Sequence, residues 1–328
     1  MWADGRSRLP SGFRVGHAAT PDGLTGVTVV VAPDGTVGAV DVRGAAPGTR
    51  ETDALDPTRT VGVCHAVVLT GGSALGLAAA QGVVEALRAQ GRGYRVAGAV
   101  IPIVPAAVIF DEGARAGVWP DAETGRRAFA SARSGPVAEG RVGAGTGATV
   151  GKALGPERAV RGGVGYAVER IGALEVGALA VVNAWGDVVA PDGRILAGVR
   201  ADRPGRWLSG RGVLAGGGRG AEGGHTTLAV VLTNARLDKP AAHRVAVMAH
   251  DGLARAIVPV HTAWDGDAVF VLARPGIAAP ATLTGHLAAE ALARAVRRAV
   301  CAARGTPDLP AAPEWMAGRP AEGAGGAP

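Results

Sequence analysis

Residues 202–232 read DRPGRWLSGRGVLAGGGRGAEGGHTTLAVVL. Up to His225 the stretch has almost no apolar periodicity and reads as a flexible, glycine-rich loop. It stops abruptly at Thr226, and Thr227–Leu232 reads as a buried strand. A glycine loop running straight into Thr-Thr and a buried strand is what an autocatalytic N-terminal nucleophile requires. The loop lets the bond before Thr226 take a strained geometry. The Thr226 hydroxyl can then attack the His225 carbonyl, and water can hydrolyse the resulting ester. Cleavage frees the Thr226 amine, which can serve as general base for its own hydroxyl, so no histidine is needed. From the residues alone, a strand start after a loop remains the simpler reading.

Working outward, Gly26–Pro33 and Val37–Arg43 are β-branched runs around a Pro33-Asp34-Gly35 turn, the pattern of a hairpin. Ala66–Thr70 reads as a buried strand. Gly71-Gly72 breaks it, and Ser73 is placed to cap a helix over about Ala74–Gln90. Val100–Phe110 is apolar but interrupted by Pro102 and Pro105. Gly162–Ile171 and Val176–Val182 are β-rich. Beyond Thr226, a helix is expected from Pro240 to about Ile257, a strand over Asp267–Leu272 and a last helix over Ala281–Ala303. Residues 1–10 read as a loose lead-in. The Pro, Gly and Ala tail, residues 305–328, is expected to be disordered. Mixed strands and helices in this order give an α/β or α+β sandwich.

The 328 residues are 48% hydrophobic, enough for a large core, but only 4% aromatic, so that core must be built from Val, Ala, Leu and Ile. The net charge of +6 comes mostly from scattered arginines, whereas a nucleic-acid binder would concentrate its basic residues with aromatics beside them, which argues against one. Lys occurs only at Lys152 and Lys239. Cys64 and Cys301 have no metal-ligand spacing and no CxxC, which points to a reduced compartment or simple burial. No apolar run reaches membrane-spanning length, and MWADGRSRLP lacks the apolar stretch of a signal peptide. A cytoplasmic protein with no membrane partner is the expectation.

Several motifs fail. Gly71-Gly72-Ser73-Ala74-Leu75 resembles a nucleophile elbow but has Leu75 where that turn needs Gly. Gly143–Lys152 (GAGTGATVGK) resembles a phosphate loop, but the spacing is one residue too long and Ala153 stands where Ser or Thr should be. Lys152 keeps some interest as a rare Lys among small residues. His250-Asp251 and His261 could suggest a triad or a metal site, but no HExxH or comparable pair exists, and each reads better as a core or capping histidine. No cofactor and no metal are expected.

Seven segments together resemble the DmpA-type L-aminopeptidase/D-esterase family, which includes β-peptidyl aminopeptidases and nylon-oligomer hydrolases. They are Val42–Asp53, Val68–Leu77, Ile101–Asp111, Val142–Lys152, Ala180–Asp187, His225–Leu232 and Met248–Phe270. The resemblance covers roughly residues 14–275 in family order. It implies an α+β fold, an αββα four-layer sandwich similar to other N-terminal-nucleophile hydrolases. It implies one catalytic domain over residues 1–304, self-cleaved between His225 and Thr226 into chains 1–225 and 226–328. Carried over by position, the nucleophile falls on Thr226, the acidic pair on Asp265 and Asp267, a hydrogen-bond donor near the scissile carbonyl on Asn183, and a Lys near the nucleophile on Lys152. Two departures stand out: His225 where relatives commonly carry Asn or Gly, and Phe110 where some carry Tyr. The resemblance implies an aminopeptidase acting on short peptides, amides or esters, working as a homo-oligomer of αβ units, often a tetramer. Alternatives are an endo-amidase of ω-amino-acid oligomers, an acyltransferase like the ornithine acetyltransferases, and an unprocessed binding protein.

Overall fold

The strand that begins at Thr226 is buried at every position as far as Ala235. Strand side chains alternate between two faces, so such a strand must lie inside a layered structure. The computed structural model, which describes residues 8–217 and 224–318, has those layers. Its main strands are β1 (Arg14–Ala19), β2 (Gly26–Val31), β3 (Val37–Val42), β4 (Thr49–Arg50), β5 (Ala66–Thr70), β6 (Ala106–Val108), β7 (Gly163–Ile171), β8 (Leu174–Asn183), β9 (Thr226–Ala235) and β10 (Ala268–Ile277). The helices that cover them are α1 (Ala79–Ala89), α2 (Glu112–Arg115), α3 (Ala122–Ala130), α4 (Lys239–Ala254), α5 (Ala281–Ala302) and α6 (Ala312–Met316).

Two five-stranded sheets form, in the orders β1-β2-β5-β6-β4 and β7-β8-β9-β10-β3. β9 pairs with β8 antiparallel and with β10 parallel. The alternation along β9 feeds two separate cores. Leu228, Val230 and Leu232 pack between the sheets against Val30, Leu69 and Ile109. Ala229 and Val231 point the other way, toward Val245 and Leu253 of α4 and Leu292 and Val296 of α5. The outer face of the first sheet, through Val27, Val29 and Val68, is covered by Val83, Leu87 and Phe129 from α1 and α3. The result is the expected αββα four-layer sandwich. A buried leucine in such a core costs about 2–5 kcal/mol when cut back to Ala, so the two cores fix where β9 starts.

Several sequence expectations need correction. The two runs around Pro33-Asp34-Gly35 are not a hairpin: β2 lies in the first sheet and β3 on the edge of the second, so this turn carries the chain between layers. Turn chemistry is local and does not choose a strand's partner. β2 is buried throughout and finds its partners in β1 and β5. Ser73 caps no α-helix. A 3-10 helix over Ser73–Ala78 intervenes, and α1 starts after Ala78.

The glycine-rich stretch is also more ordered than its composition suggests. Trp207–Leu208 pairs with Val199–Arg200, and Gly210–Ala215 is a helix capped by Ser209 and held by Gly210 N–H donating to Asp187 at 2.7 Å. The part of the loop at 218–223 lies outside the described residues. The tail folds too, at least to residue 318. Arg161 N–H donates to Pro310 O at 3.0 Å, and Glu314 accepts from Gly305 and Ala311 N–H. Small alanines can pack where larger side chains cannot, and Ala311 and Ala312 are buried. Residues 1–7 and 319–328 lie outside the described residues.

Candidate active site

Thr226 has the same strand parity as Leu228 and Val230, so it belongs to the face of β9 that looks between the sheets. Its partner across β8 is Asn183. On the other side, the segment leading into β10 runs beside the residue before Thr226, with a bridge between His225 and Asp265. That register puts the Gly266 N–H on the His225 carbonyl oxygen at 2.9 Å. The Thr226 hydroxyl donates to the same oxygen at 2.5 Å. One peptide carbonyl is thus polarised by a backbone donor while a hydroxyl of the next residue lies against it.

Two glycines make this approach possible. A Cβ at Gly266 would lie 2.8 Å from Thr226 Oγ1 and 2.6 Å from the Ala46 carbonyl oxygen. Gly224 has φ +90 and would press a Cβ to 2.7 Å from the Phe110 ring.

Asn183 and Lys152 form one buried unit. Lys152 Nζ donates to Asn183 O at 2.8 Å and to Asn183 Oδ1 at 2.9 Å, and Thr149 N–H donates to the same Oδ1 at 3.0 Å. With its oxygen held in this way, the amide presents Nδ2 to Phe110 O at 3.0 Å and to Gly224 O at 3.5 Å. Burial pushes the Lys152 ammonium well below its ordinary pKa. The charge of Arg115 adds to this, against the opposing pull of Asp265 and Asp111. Both burial and the neighbouring cation thus favour the neutral amine over the ammonium.

The acidic pair is buried, but its two members serve different neighbours. Asp265 accepts from Thr262 N–H at 2.8 Å and from the Thr262 hydroxyl at 2.6 Å. Asp267 accepts from Thr227 N–H at 2.6 Å and from His261, through Nδ1 at 2.8 Å and the backbone N–H at 3.2 Å. Burial, and then the charge of Asp267, raise the Asp265 carboxyl from 3.8 to about 6, while the Thr262 bonds and Lys152 pull it down.

A carboxyl whose pKa is higher folded than unfolded opposes folding when it ionises. That cost is absent below the unfolded value, grows as pH rises, and is complete above the folded value. Asp265→Asn is therefore expected to melt above the parent at about pH 8 and level with it at about pH 3.5. Equal melting points at both pH values would show that the Asp265 carboxyl is not strained by its surroundings.

A cavity of about 160 Å3 reaches Thr226, lined among others by Pro47, Gly48, Ser73, Phe110 and Gly224. Ser73, set aside in the sequence as a helix cap, faces this space. It sits at φ +55, uncommon for a residue with a Cβ, with its N–H held by Ile109 O at 3.0 Å. Asp111 fixes the loop from below, accepting from Thr25 Oγ1 at 2.6 Å and from Gly72 and Ala114 N–H at 3.1 Å. Neither residue was legible as part of the site. The signals were an ordinary Gly-Gly break and an Asp following an apolar run. A larger cavity of about 440 Å3, lined by Leu196, Trp207, Val300 and Met316 among others, lies away from this cluster, so size does not choose the site. Among the described residues no group of three His, Cys, Asp or Glu could hold a metal ion, and no helix is long and apolar enough to cross a membrane.

An αββα sandwich with a hydroxyl residue at the start of an inner strand has the fold of the N-terminal-nucleophile hydrolases. Two solved structures carry the same architecture. One is a Burkholderia β-aminopeptidase, with a TM-score of 0.67 and 21% identity over 93% of this chain and 90% of that one. The other is the L-aminopeptidase D-Ala-esterase/amidase of Ochrobactrum anthropi, with a TM-score of 0.67 and 18% identity over 94% and 91%. The profile of peptidase family S58 matches residues 11–309. An uncharacterised aminopeptidase of Mycobacterium tuberculosis is 42% identical over 91% of this chain and 94% of its own length. A 6-aminohexanoate-oligomer endohydrolase of Paenarthrobacter ureafaciens is 33% identical over 83% and 75%. This chain belongs to peptidase family S58, and it is a hydrolase of peptide and amide bonds.

Proposed function

We propose that the chain cuts itself between His225 and Thr226 and that Thr226 then serves as the N-terminal nucleophile of an aminopeptidase acting on short peptides, amides or esters. The observation that carries this reading is the His225 carbonyl oxygen, which accepts both from the Thr226 hydroxyl at 2.5 Å and from Gly266 N–H at 2.9 Å. In the cleavage step the hydroxyl turns its proton from that oxygen to a base and Oγ bonds to the His225 carbonyl carbon. The oxygen becomes an anion held by Gly266 N–H. The C–N bond breaks, the Thr226 nitrogen takes up a proton and leaves as an amine, and an ester joins His225 to Thr226. Water hydrolyses that ester, leaving a carboxylate on His225 and a free hydroxyl and amine on Thr226.

The mature site repeats this chemistry on a substrate acyl group. Asn183 Nδ2, which faces Gly224 O in the intact chain, is the proposed donor to the substrate carbonyl once that segment is cut. The small cavity with Gly48, Ser73 and Phe110 on its walls suits a compact acyl group. The relative that acts on 6-aminohexanoate oligomers keeps an endo-acting reading open, and substrates with a blocked amine separate the two. Amine against water as acyl acceptor tests the acyltransferase alternative. The working form is proposed to be a homo-oligomer of cleaved αβ units in the cytoplasm, in keeping with the free thiols of Cys64 and Cys301.

N-terminal sequencing of the smaller fragment tests the assignment. It is expected to begin Thr-Thr-Leu-Ala, and a different start in an active preparation overturns it.

A further inference from the structure

We infer that His261 is a positioning residue for the nucleophile, acting through Asp267. The inference rests on the reading of Thr226 as nucleophile and goes beyond it, because His261 lies outside the cluster that the reaction needs. Asp267 is buried, and one of its oxygens takes the N–H of Thr227, the residue joined to Thr226. Its other oxygen is held by His261 Nδ1 at 2.8 Å. A carboxylate oxygen can only accept, so that bond fixes the imidazole tautomer with the proton on Nδ1. The ring, with the His261 backbone N–H on the same oxygen at 3.2 Å, thus sets the orientation of the Asp267 carboxylate, and the carboxylate holds the peptide between Thr226 and Thr227.

The ring is itself held from behind. His250 packs against it edge-on, with centroids 4.9 Å apart and planes at 66°. His250 Nε2 in turn donates to Asp41 O on β3 at 3.0 Å. Burial pushes His250 down to about 4, so it packs as a neutral ring. The remaining ring nitrogens, His250 Nδ1 and His261 Nε2, have no partner among the described residues. A neutral His250 fits this arrangement, since a further proton would bring an N–H to its Nδ1 with nothing to accept it. A line of contacts thus runs from β3 through α4 to the first residues of β9.

His261 also has φ +54, a left-handed conformation uncommon outside Gly, although Asn, Asp and His enter it more often than other side chains. Holding a histidine there has a cost, and the ring's bond to Asp267 is the contact that accompanies it.

The backbone conformation supplies a controlled test. Asn and Asp both tolerate it and are nearly the same shape. Asn keeps an N–H where Nδ1 stands, whereas Asp puts a second carboxylate there. The readout is conversion of full-length chain into two fragments during cell-free translation, with a thermal melt of each purified protein. His261→Asn is expected to mature within about threefold of the parent, and His261→Asp on the order of 10- to 100-fold more slowly, by analogy with the loss of a hydrogen-bonding partner behind a metal ligand. Equal rates for the two variants overturn the inference, whether both are fast or both slow, because the hydrogen bond is then not what matters. A slow His261→Asp that also melts well below His261→Asn is compared with His261→Gly, which suits the backbone and carries no charge. Slow maturation of that variant upholds the role, and parental speed removes it. If the parent itself is not cut before Thr226, the nucleophile reading fails first. If the parent is cut and the variants are alike, only the role of His261 fails.

Discussion

Thr226→Ala is expected to remain a single chain of 32.5 kDa and to have no measurable hydrolase activity. Alanine removes the hydroxyl that lies 2.5 Å from the His225 carbonyl oxygen and leaves the rest of the junction in place. Gly266 N–H still polarises that carbonyl, but nothing attacks it. Loss of a nucleophile costs on the order of 10⁶ in kcat in a serine protease, and if Thr226 serves both maturation and turnover, as proposed, both disappear together. Thr226→Ser keeps an attacking hydroxyl and is expected to be cut, though without the methyl that restricts the threonine rotamer. A denaturing gel beside an amidase assay settles the matter. An alanine variant that still yields two fragments would move the cleavage site elsewhere. One that stays intact yet turns over substrate would separate maturation from catalysis.

The same junction shows where sequence reasoning succeeds and where it stops. Thr227–Leu232, the apolar part of the strand Thr226–Ala235, was legible because such a run after a glycine loop fits little but a buried strand, and the apolar run Ala66–Thr70 was legible as a strand too. The pair around Pro33-Asp34-Gly35 was misread because a turn does not show whether the next strand returns to the same sheet. Residues 305–318 were misread because a Pro and Ala composition looks alike whether it is packed or free. Within the site, Thr226, Asn183, Lys152, Asp265 and Asp267 came from motif position, and the fold gathers them around one peptide bond. Gly266 and His261 did not come from position. Gly266 contributes a backbone N–H, which no side-chain motif records. His261 matters through a left-handed backbone and a bond to a residue six positions away, and neither has a periodic signature. Asn183 was expected as a donor near the scissile carbonyl. In the intact chain its amide faces Phe110 O and Gly224 O, and Gly266 N–H holds the His225 oxygen.

The proposed self-cleavage raises a requirement that the mature enzyme would not share. Until the bond is cut, the Thr226 nitrogen is an amide and cannot act as a base. Another group must take the hydroxyl proton, and the two lysines show which one is suited to it. Lys239 Nζ donates to three backbone carbonyls, Ala54, Arg59 and Val61, each at 3.0 Å, a full set of partners for an ammonium. Lys152 Nζ has two acceptors, both on Asn183, and burial drives it toward the neutral form. A neutral amine has two N–H groups and one lone pair, so Asn183 uses both donors and leaves the lone pair to accept a proton. Lys152→Met keeps the length and removes the base. It is expected to slow maturation by on the order of 10²–10⁴, the range for one general base. Lys152→Arg is expected to be slow as well, because a guanidinium does not give up its proton. In the parent, maturation is expected to quicken as pH rises through the depressed Lys152 pKa, since the amine must be neutral to act. The three rates, followed on denaturing gels across a pH series, decide the role. A Met variant that matures at the parental rate would exclude Lys152 and turn attention to Asp265, whose carboxyl, raised to about 6, is the other group near Thr226 poised to exchange a proton at neutral pH.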